Sequence, residues 1–346
     1  MRPTSSPSST RCAKPTRGSS RARLLAGALF VWLLATGCAG TPQTRALLES
    51  PPATLPAARE LVDTPFYPQE DYQCGPAALA TLLTPLGVDT SPEALVGEVY
   101  LPARQGSLQP EMLAAIRKRG LLPVVLPREL SAILAEIDAG HPVLVLQNLG
   151  LDWYPKWHYA VVVGYDLDRR QLVLRSGTTE RWTTAFRVFE RTWQRGDHWA
   201  VVAVRPGVVP PSADLLAMLR ATADLEETGR GDPALTSYRA IASRWPDAPL
   251  AQFSLANALM GASEPQAARA HYLRATALDP DFAPAWNNLA YALQGSGCHG
   301  EALLAADCAR RLAPQDATIA GTLAELRDAP PIPSDAACPV IHCPLD

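Results

Sequence analysis

The chain's 346 residues leave room for about two domains, since compact domains run ~100–200 residues each. A hydrophobic share of 47% against 19% charged residues fits ordinary globular modules, and a net charge of −3 gives no electrostatic reason for a nucleic-acid partner. The 33 prolines gather near the N-terminus, around residues 205–211 and in the last twenty residues, and so mark linkers.

Residues 1–37 carry the pattern of an export signal. Arg17, Arg21 and Arg23 precede an apolar run from Leu24 to Leu34, then Ala35, Thr36, Gly37 and Cys38. The run is short for a membrane span, which takes ~20 residues. Its ending resembles a bacterial lipobox, with Ala35 in place of the usual aliphatic residue and Leu34 one step back. That resemblance implies lipidation of Cys38 and a protein anchored to a membrane without spanning it. An ordinary secretory signal cleaved nearby is the alternative. Ala39, where an inner-membrane lipoprotein would carry Asp, implies an outer-membrane protein facing the periplasm. Residues 38–60, with Thr, Pro and Ala and little periodicity, read as a tether.

From residue 61 to 206 the pattern becomes mixed. Helices are expected over 74–84, 91–99 (Ser91 as cap, Pro92 at the first position), 110–119 and 129–138. Strands rich in Val and Leu are expected over 122–126, 142–147, 158–166, 171–175 and 199–204. Helices first and strands later is an α+β order. Trp182, Phe186, Phe189 and Trp193 recur at near-helical spacing, as core residues do.

Two stretches carry chemistry. Cys74 is followed by Gly75, Pro76 and a run of helix formers to Leu83. Proline is tolerated in a first helical turn, so Cys74 falls at a helix N-terminus, where the macrodipole favours thiolate. Gln69, five residues upstream, can present an amide donor beside the sulfur, the layout of a nucleophile with an oxyanion-hole donor. By itself the stretch equally describes a buried cysteine opening a core helix. The second stretch is His158, at the head of the apolar run Tyr159 to Val163. A cysteine at a helix start and a histidine at a strand start, distant in sequence, is how papain-like sites are assembled.

Gln69, Cys74 to Ala78, His158, Tyr159 and Val161 to Asp166 together resemble the bacteriocin-processing, double-glycine cysteine peptidases (cysteine-peptidase family thirty-nine). The resemblance covers about residues 61–206. It implies a papain-like fold with Cys74 as nucleophile, His158 as general base and then acid, and Gln69 in the oxyanion hole. The third member departs from the family, which usually carries Asp-Pro on the strand after the histidine strand. Here that place reads Arg175, Ser176, Gly177. Ser176 occupies the family position, and Glu180 is the carboxylate on the returning strand. Asp166 lies eight extended residues from His158, about 26 Å at ~3.3 Å each.

After a linker over 207–214 comes a repeat with a period of 34 residues. Ala221, Leu255 and Leu289 align, as do Leu225, Leu259 and Leu293. Gly229, Ser263 and Gly297 mark a turn, Ala234, Ala268 and Ala302 a helix crossing, and Pro246, Pro280 and Pro314 the end of each unit. The pattern looks like three tetratricopeptide repeats, 215–248, 249–282 and 283–316, closed by a capping helix over 317–327. The expected architecture is thus an α+β papain-like cysteine peptidase domain followed by an all-α tetratricopeptide-repeat solenoid. Its concave face is expected to bind a peptide or protein segment, with Gln252, Asn257, Asn287, Tyr291 and Gln294 as candidate lining residues.

Seven cysteines complete the reading. Cys12 and Cys38 fall in the signal and anchor, and Cys74 is the nucleophile candidate. Cys298, Cys308, Cys338 and Cys343 form an even set in an exported chain. Cys298 and Cys308 share one helix and lie ~15 Å apart, beyond disulfide reach. The expectation is that the Pro-rich tail, 328–346, folds back and is stapled to the last repeat, with a Cys338–Cys343 bridge as fallback. No metal spacing and no phosphate-binding glycine loop stands out, so no metal, cofactor or ATP is expected. The functions in view are a membrane-anchored cysteine peptidase whose repeats recruit its substrate, a catalytically weak peptide-binding or assembly lipoprotein, and a papain-like amide or acyl-transfer enzyme.

Overall fold

The computed structural model describes residues 40–69, 73–330, 332–333 and 337–345. From Pro42 onward the chain forms one compact unit. Its elements are α1 (Pro42–Glu49), β1 (Ala58–Glu60), α2 (Cys74–Leu83), α3 (Pro92–Val99), α4 (Gln109–Lys118), β2 (Leu122–Val125), α5 (Leu130–Asp138), β3 (Val143–Asn148), β4 (Trp157–Asp166), β5 (Gln171–Ser176), β6 (Thr179–Ala185), α6 (Phe186–Gln194) and β7 (Ala200–Val204). Seven helices follow: α7 (Leu215–Glu226), α8 (Gly231–Arg244), α9 (Pro249–Gly261), α10 (Pro265–Leu278), α11 (Ala283–Gly295), α12 (His299–Leu312) and α13 (Ala317–Asp328).

The strands form one antiparallel sheet in the order β2-β7-β3-β4-β5-β6, with β1 added on β4. Both faces are covered, and the period-two alternation of strands sorts the core into two layers. Leu144, Leu146, Tyr159, Val161, Val163 and Val173 pack under α2, α3 and α4. Val143, Val145, Ala160, Val162, Leu172 and Leu174 face the other way, toward α5 and α6. That second layer runs on without interruption into the helices beyond Leu215. The whole of β3 is buried for this reason.

Residues 40–60 are not a free tether. Buried Glu190 of α6 accepts the amides of Gln43 and Thr44 at 3.0 and 2.7 Å, placing a carboxylate on the exposed donors of the α1 N-terminus. Residues 58–60 pair with 164–166 of β4. Sequence reading passed over both because a three-residue strand and a two-turn helix carry too little periodicity, and each is held by partners more than a hundred residues away. The aromatic stripe likewise divides. Phe186, Phe189 and Trp193 are core residues of α6, whereas Trp182 lies on the edge strand β6 and is exposed.

In the helical half, the aligned positions Gly229, Ser263 and Gly297 all adopt left-handed backbone, with φ of 80°, 62° and 80°. This lets each first helix turn into its second. Ala234, Ala268 and Ala302 are fully buried where the paired helices cross. α13 covers the open end of the stack, capped by the Asp316 carboxylate on the amides of Thr318 and Ile319. The junction is bonded: Ser212 donates its amide to Glu136 at 2.9 Å, and Arg117 pairs with Asp224 at 2.6 Å. The tail folds back along the last repeat, where Cys298 is bonded to Cys338 and Cys308 to Cys343, with Cα separations of 5.5 and 5.6 Å.

Candidate active site

α2 begins at Cys74, and every residue from Gly75 to Leu83 is buried. A Cβ on Gly75 would lie 2.2 Å from Ser107 Oγ, so only glycine lets the start of α2 sit this close to the chain leading into α4. Cys74 is a free cysteine, partly exposed. Burial pushes its thiol above the ordinary value, and this outweighs hydrogen bonds from the amides of Tyr159, Gly75 and Cys74 itself, which pull it down. The helix-end amides are aimed at the sulfur as the sequence implied. In the resting protein they do not carry the thiol to a thiolate.

The Tyr159 amide is available because of sheet register. β5 pairs with β4 only from Val161 onward, whereas β3 pairs with it from Trp157. The first residues of β4 therefore have one edge without a strand partner, and the N-terminus of α2 meets β4 there. His158 is the residue before that amide, so its main chain adjoins the segment that reaches the Cys74 sulfur.

Nε2 of His158 is hydrogen-bonded to Ser176 Oγ at 2.8 Å. With Nε2 donating to the hydroxyl, Nδ1 keeps the lone pair that a base needs. The ring is held neutral: burial first, then the Lys156 charge, lowers its pKa to about 4. Glu180 is exposed, and its backbone carbonyl, not its carboxylate, serves the site by accepting from Arg175 at 2.9 Å. Asp166 caps a turn at the far end of β4 through the Arg169 amide at 2.8 Å.

Three consecutive residues at the end of β5 bind three parts of the site. Buried Arg175 donates to the carbonyls of Thr64 and Val62 at 3.1 and 3.3 Å. Ser176 takes His158, and the Gly177 carbonyl accepts the Gln69 amide at 3.1 Å. Gln69 is therefore fixed to the strand that orients the histidine. Sequence reading missed Arg175 as a fastener, since a charged residue in a valine-rich strand gives no sign of which carbonyls it will reach. Beneath the nucleophile, Tyr159 Oη, Ser107 Oγ and Glu111 Oε2 are buried and lack a hydrogen-bond partner among the described residues. Buried polar atoms of this kind ordinarily meet water or a ligand.

The repeat residues divide differently from expectation. Asn287 and Gln252 are buried; Gln252 knits helices together through the Pro246 carbonyl at 3.1 Å and His271 at 2.8 Å, whereas Asn287 donates to the neighbouring Asn288 at 3.2 Å. Asn257 is exposed, but its Oδ1 accepts from Tyr272 and Asn288 at 2.6 and 2.9 Å. Tyr291 donates to Glu325 of α13 at 2.8 Å, and Gln294 to the Pro330 carbonyl at 3.0 Å. The metal-ligand types that cluster among the described residues are Cys298, Glu301 and Cys338, and the two sulfurs are bonded to each other. Cys38 lies outside the described residues.

The α+β domain that carries these residues resembles a C39-like peptidase. Residues 61–200 match the model of the Peptidase_C39 like family, and residues 271–303 match that of the tetratricopeptide repeat. The chain joins a C39-like domain to a tetratricopeptide-repeat solenoid. No curated protein matches it. Among solved structures, it is similar to a putative C39-like peptidase from Bacillus anthracis at 17% identity, over 43% of this chain and 98% of that one, with a TM-score of 0.38. It is also similar to the second repeat domain of human RPAP3, solved with an HSP70 peptide, at 16% identity over 33% and 96%, TM-score 0.32. The Arabidopsis OM64 repeat domain matches at 18% over 33% and 93%, TM-score 0.31.

Proposed function

We propose that this chain is an exported, lipid-anchored cysteine peptidase that cleaves a peptide or protein recruited by its repeats. The observation that carries the reading is the convergence on Cys74 and His158: the amide after the histidine meets the sulfur, and Ser176 fixes the ring. Cys74 transfers its proton to His158 Nδ1 as the sulfur attacks the scissile carbonyl carbon. The oxyanion is held by the Cys74 amide and the Gln69 carboxamide. The C–N bond breaks as His158 returns the proton to the leaving amine. Water, deprotonated by the same ring, then releases the acyl group from the sulfur and regenerates the thiol.

The anchor is Cys38, and the location proposed is the outer membrane facing the periplasm. A second reading, a peptide-binding lipoprotein without turnover, draws support from the chemistry of the pair: among the described residues no carboxylate is bonded to the His158 ring, and burial raises the Cys74 thiol.

A peptidyl electrophile separates the two readings. Covalent labelling of Cys74, slowed at least tenfold in His158→Ala and followed by cleavage of library peptides, is the expected result. A Cys74 that stays unlabelled, or labels equally in both proteins, gives the place to the binding reading. Labelling with no cleavage, but transfer to added amines, points to acyl transfer. Mass analysis of the mature N-terminus, with Cys38→Ser as control, tests the anchor.

A further inference from the structure

β3 and β4 are joined by a hairpin over 149–156 whose outward side chains are largely apolar. Leu149, Leu151 and Trp157 are exposed, as are Trp153 at 80% and Tyr154 at 74%. The hairpin is firmly built. Leu151 and Tyr154 exchange backbone hydrogen bonds of 3.1 and 3.0 Å. Asn148 Oδ1 accepts from the Gly150 and Lys156 amides, both at 2.9 Å, and Arg195 donates twice to the Asn148 carbonyl. Its two charges, Asp152 and Lys156, cancel. Large rings held out in water on a rigid support mark a contact surface. Exposed on most of their surface, the Trp153 and Tyr154 rings suit a medium that closes around them.

The hairpin projects from the end of the domain at which the chain enters the fold. Gln43 accepts the Leu130 amide at the start of α5 at 2.6 Å. α5 leads through a short turn back into β3, so its start lies beside the end of β3. Independently, α6 holds the α1 N-terminus through Glu190, and Arg195, just past α6, holds Asn148. Four residues lead from Cys38 to Pro42, a reach of ~14 Å at ~3.5 Å each. The hairpin extends four residues beyond Asn148, about 13 Å.

We propose that this hairpin is a membrane contact, seated in the interfacial zone of the leaflet that holds the acylated Cys38. The proposal rests on the lipid-anchor reading above. Trp and Tyr rings suit that zone, with an apolar body and a polar tip. The acyl group supplies attachment and the hairpin supplies orientation, turning the first residues of β4, and with them His158, toward the bilayer. A hairpin of zero net charge partitions with little dependence on anionic lipid or salt.

The fold from Pro42 is one compact unit, so the chain starting at Ala39, which carries no acyl group, serves for the test. It is floated with phosphatidylcholine vesicles and with phosphatidylethanolamine–phosphatidylglycerol vesicles. Flotation with both is expected, with a partition coefficient at least tenfold lower for Trp153→Ser/Tyr154→Ser. The variant should keep its melting temperature and its Cys74 labelling rate. Absence of flotation, or equal flotation of the variant, overturns the proposal even where Cys38 proves acylated. Loss of peptide capture in the variant while neither protein floats also overturns it, and assigns the rings to a polypeptide. Flotation lost in the variant, with Cys38 found unmodified, sustains the membrane contact and removes only the anchor.

Discussion

Ser176 Oγ lies 2.8 Å from Nε2 of His158, so that among the described residues a neutral hydroxyl is the side chain hydrogen-bonded to the ring. A neutral hydrogen bond is worth about 1 kcal/mol, or roughly fivefold in rate. Ser176→Ala should therefore slow Cys74 labelling by about that factor. Ser176→Asp should do the opposite, raising the imidazole pKa and accelerating labelling near neutral pH. Labelling rates across pH for the three proteins check both directions.

The histidine also couples the fold to acid. Its folded pKa of about 4 lies below the ordinary 6.5, so the stability it contributes is present above 6.5 and is lost as pH falls toward 4. The loss is roughly 3 kcal/mol, less whatever solvent screening removes at a partly exposed ring. Urea unfolding of the parent and of His158→Gln at pH 7 and pH 4 should show a smaller acid loss in the variant.

Gly75→Ala forces a methyl group against Ser107 Oγ, which would be only 2.2 Å away. A destabilisation of about 1–3 kcal/mol is expected, together with slower labelling as the start of α2 is pushed off β4. Removing the opposing side chain as well, in Gly75→Ala/Ser107→Gly, should recover most of both. Denaturant midpoints and labelling rates of the single and double variants decide it.

Two bridges close sequence separations of 40 and 35 residues. On chain entropy alone each stabilises the native state by about 3–4 kcal/mol. Reduction should release the tail and loosen α11 to α13 while leaving the sheet protected. Hydrogen exchange with and without dithiothreitol would locate the change. Equal loosening of β3 and β4 would contradict it.

Much of this was legible because it is periodic or local. The alignment of Gly229, Ser263 and Gly297 marked three turns that all need left-handed backbone. Strands rich in Val and Leu and helices opened by Ser91-Pro92 or Cys74-Gly75-Pro76 stand within a residue or two of their expected bounds. What stayed hidden depends on distant partners. β1 exists only because β4 offers an edge, and α1 only because Glu190 lies under its first turn. The thiol is the instructive case: a helix start predicts a lowered pKa, and burial, which one sequence does not reveal, reverses the balance.

The end of β5 fastens Val62 and Thr64 through Arg175, the imidazole through Ser176, and Gln69 through Gly177. Because these contacts share one stretch of backbone, the middle position can change its chemistry while its neighbours hold the geometry. Exchange of a hydroxyl for a carboxylate at residue 176 then retunes the proton affinity of the imidazole without rebuilding the frame, so the strength of the base and the alignment of the site are separately adjustable.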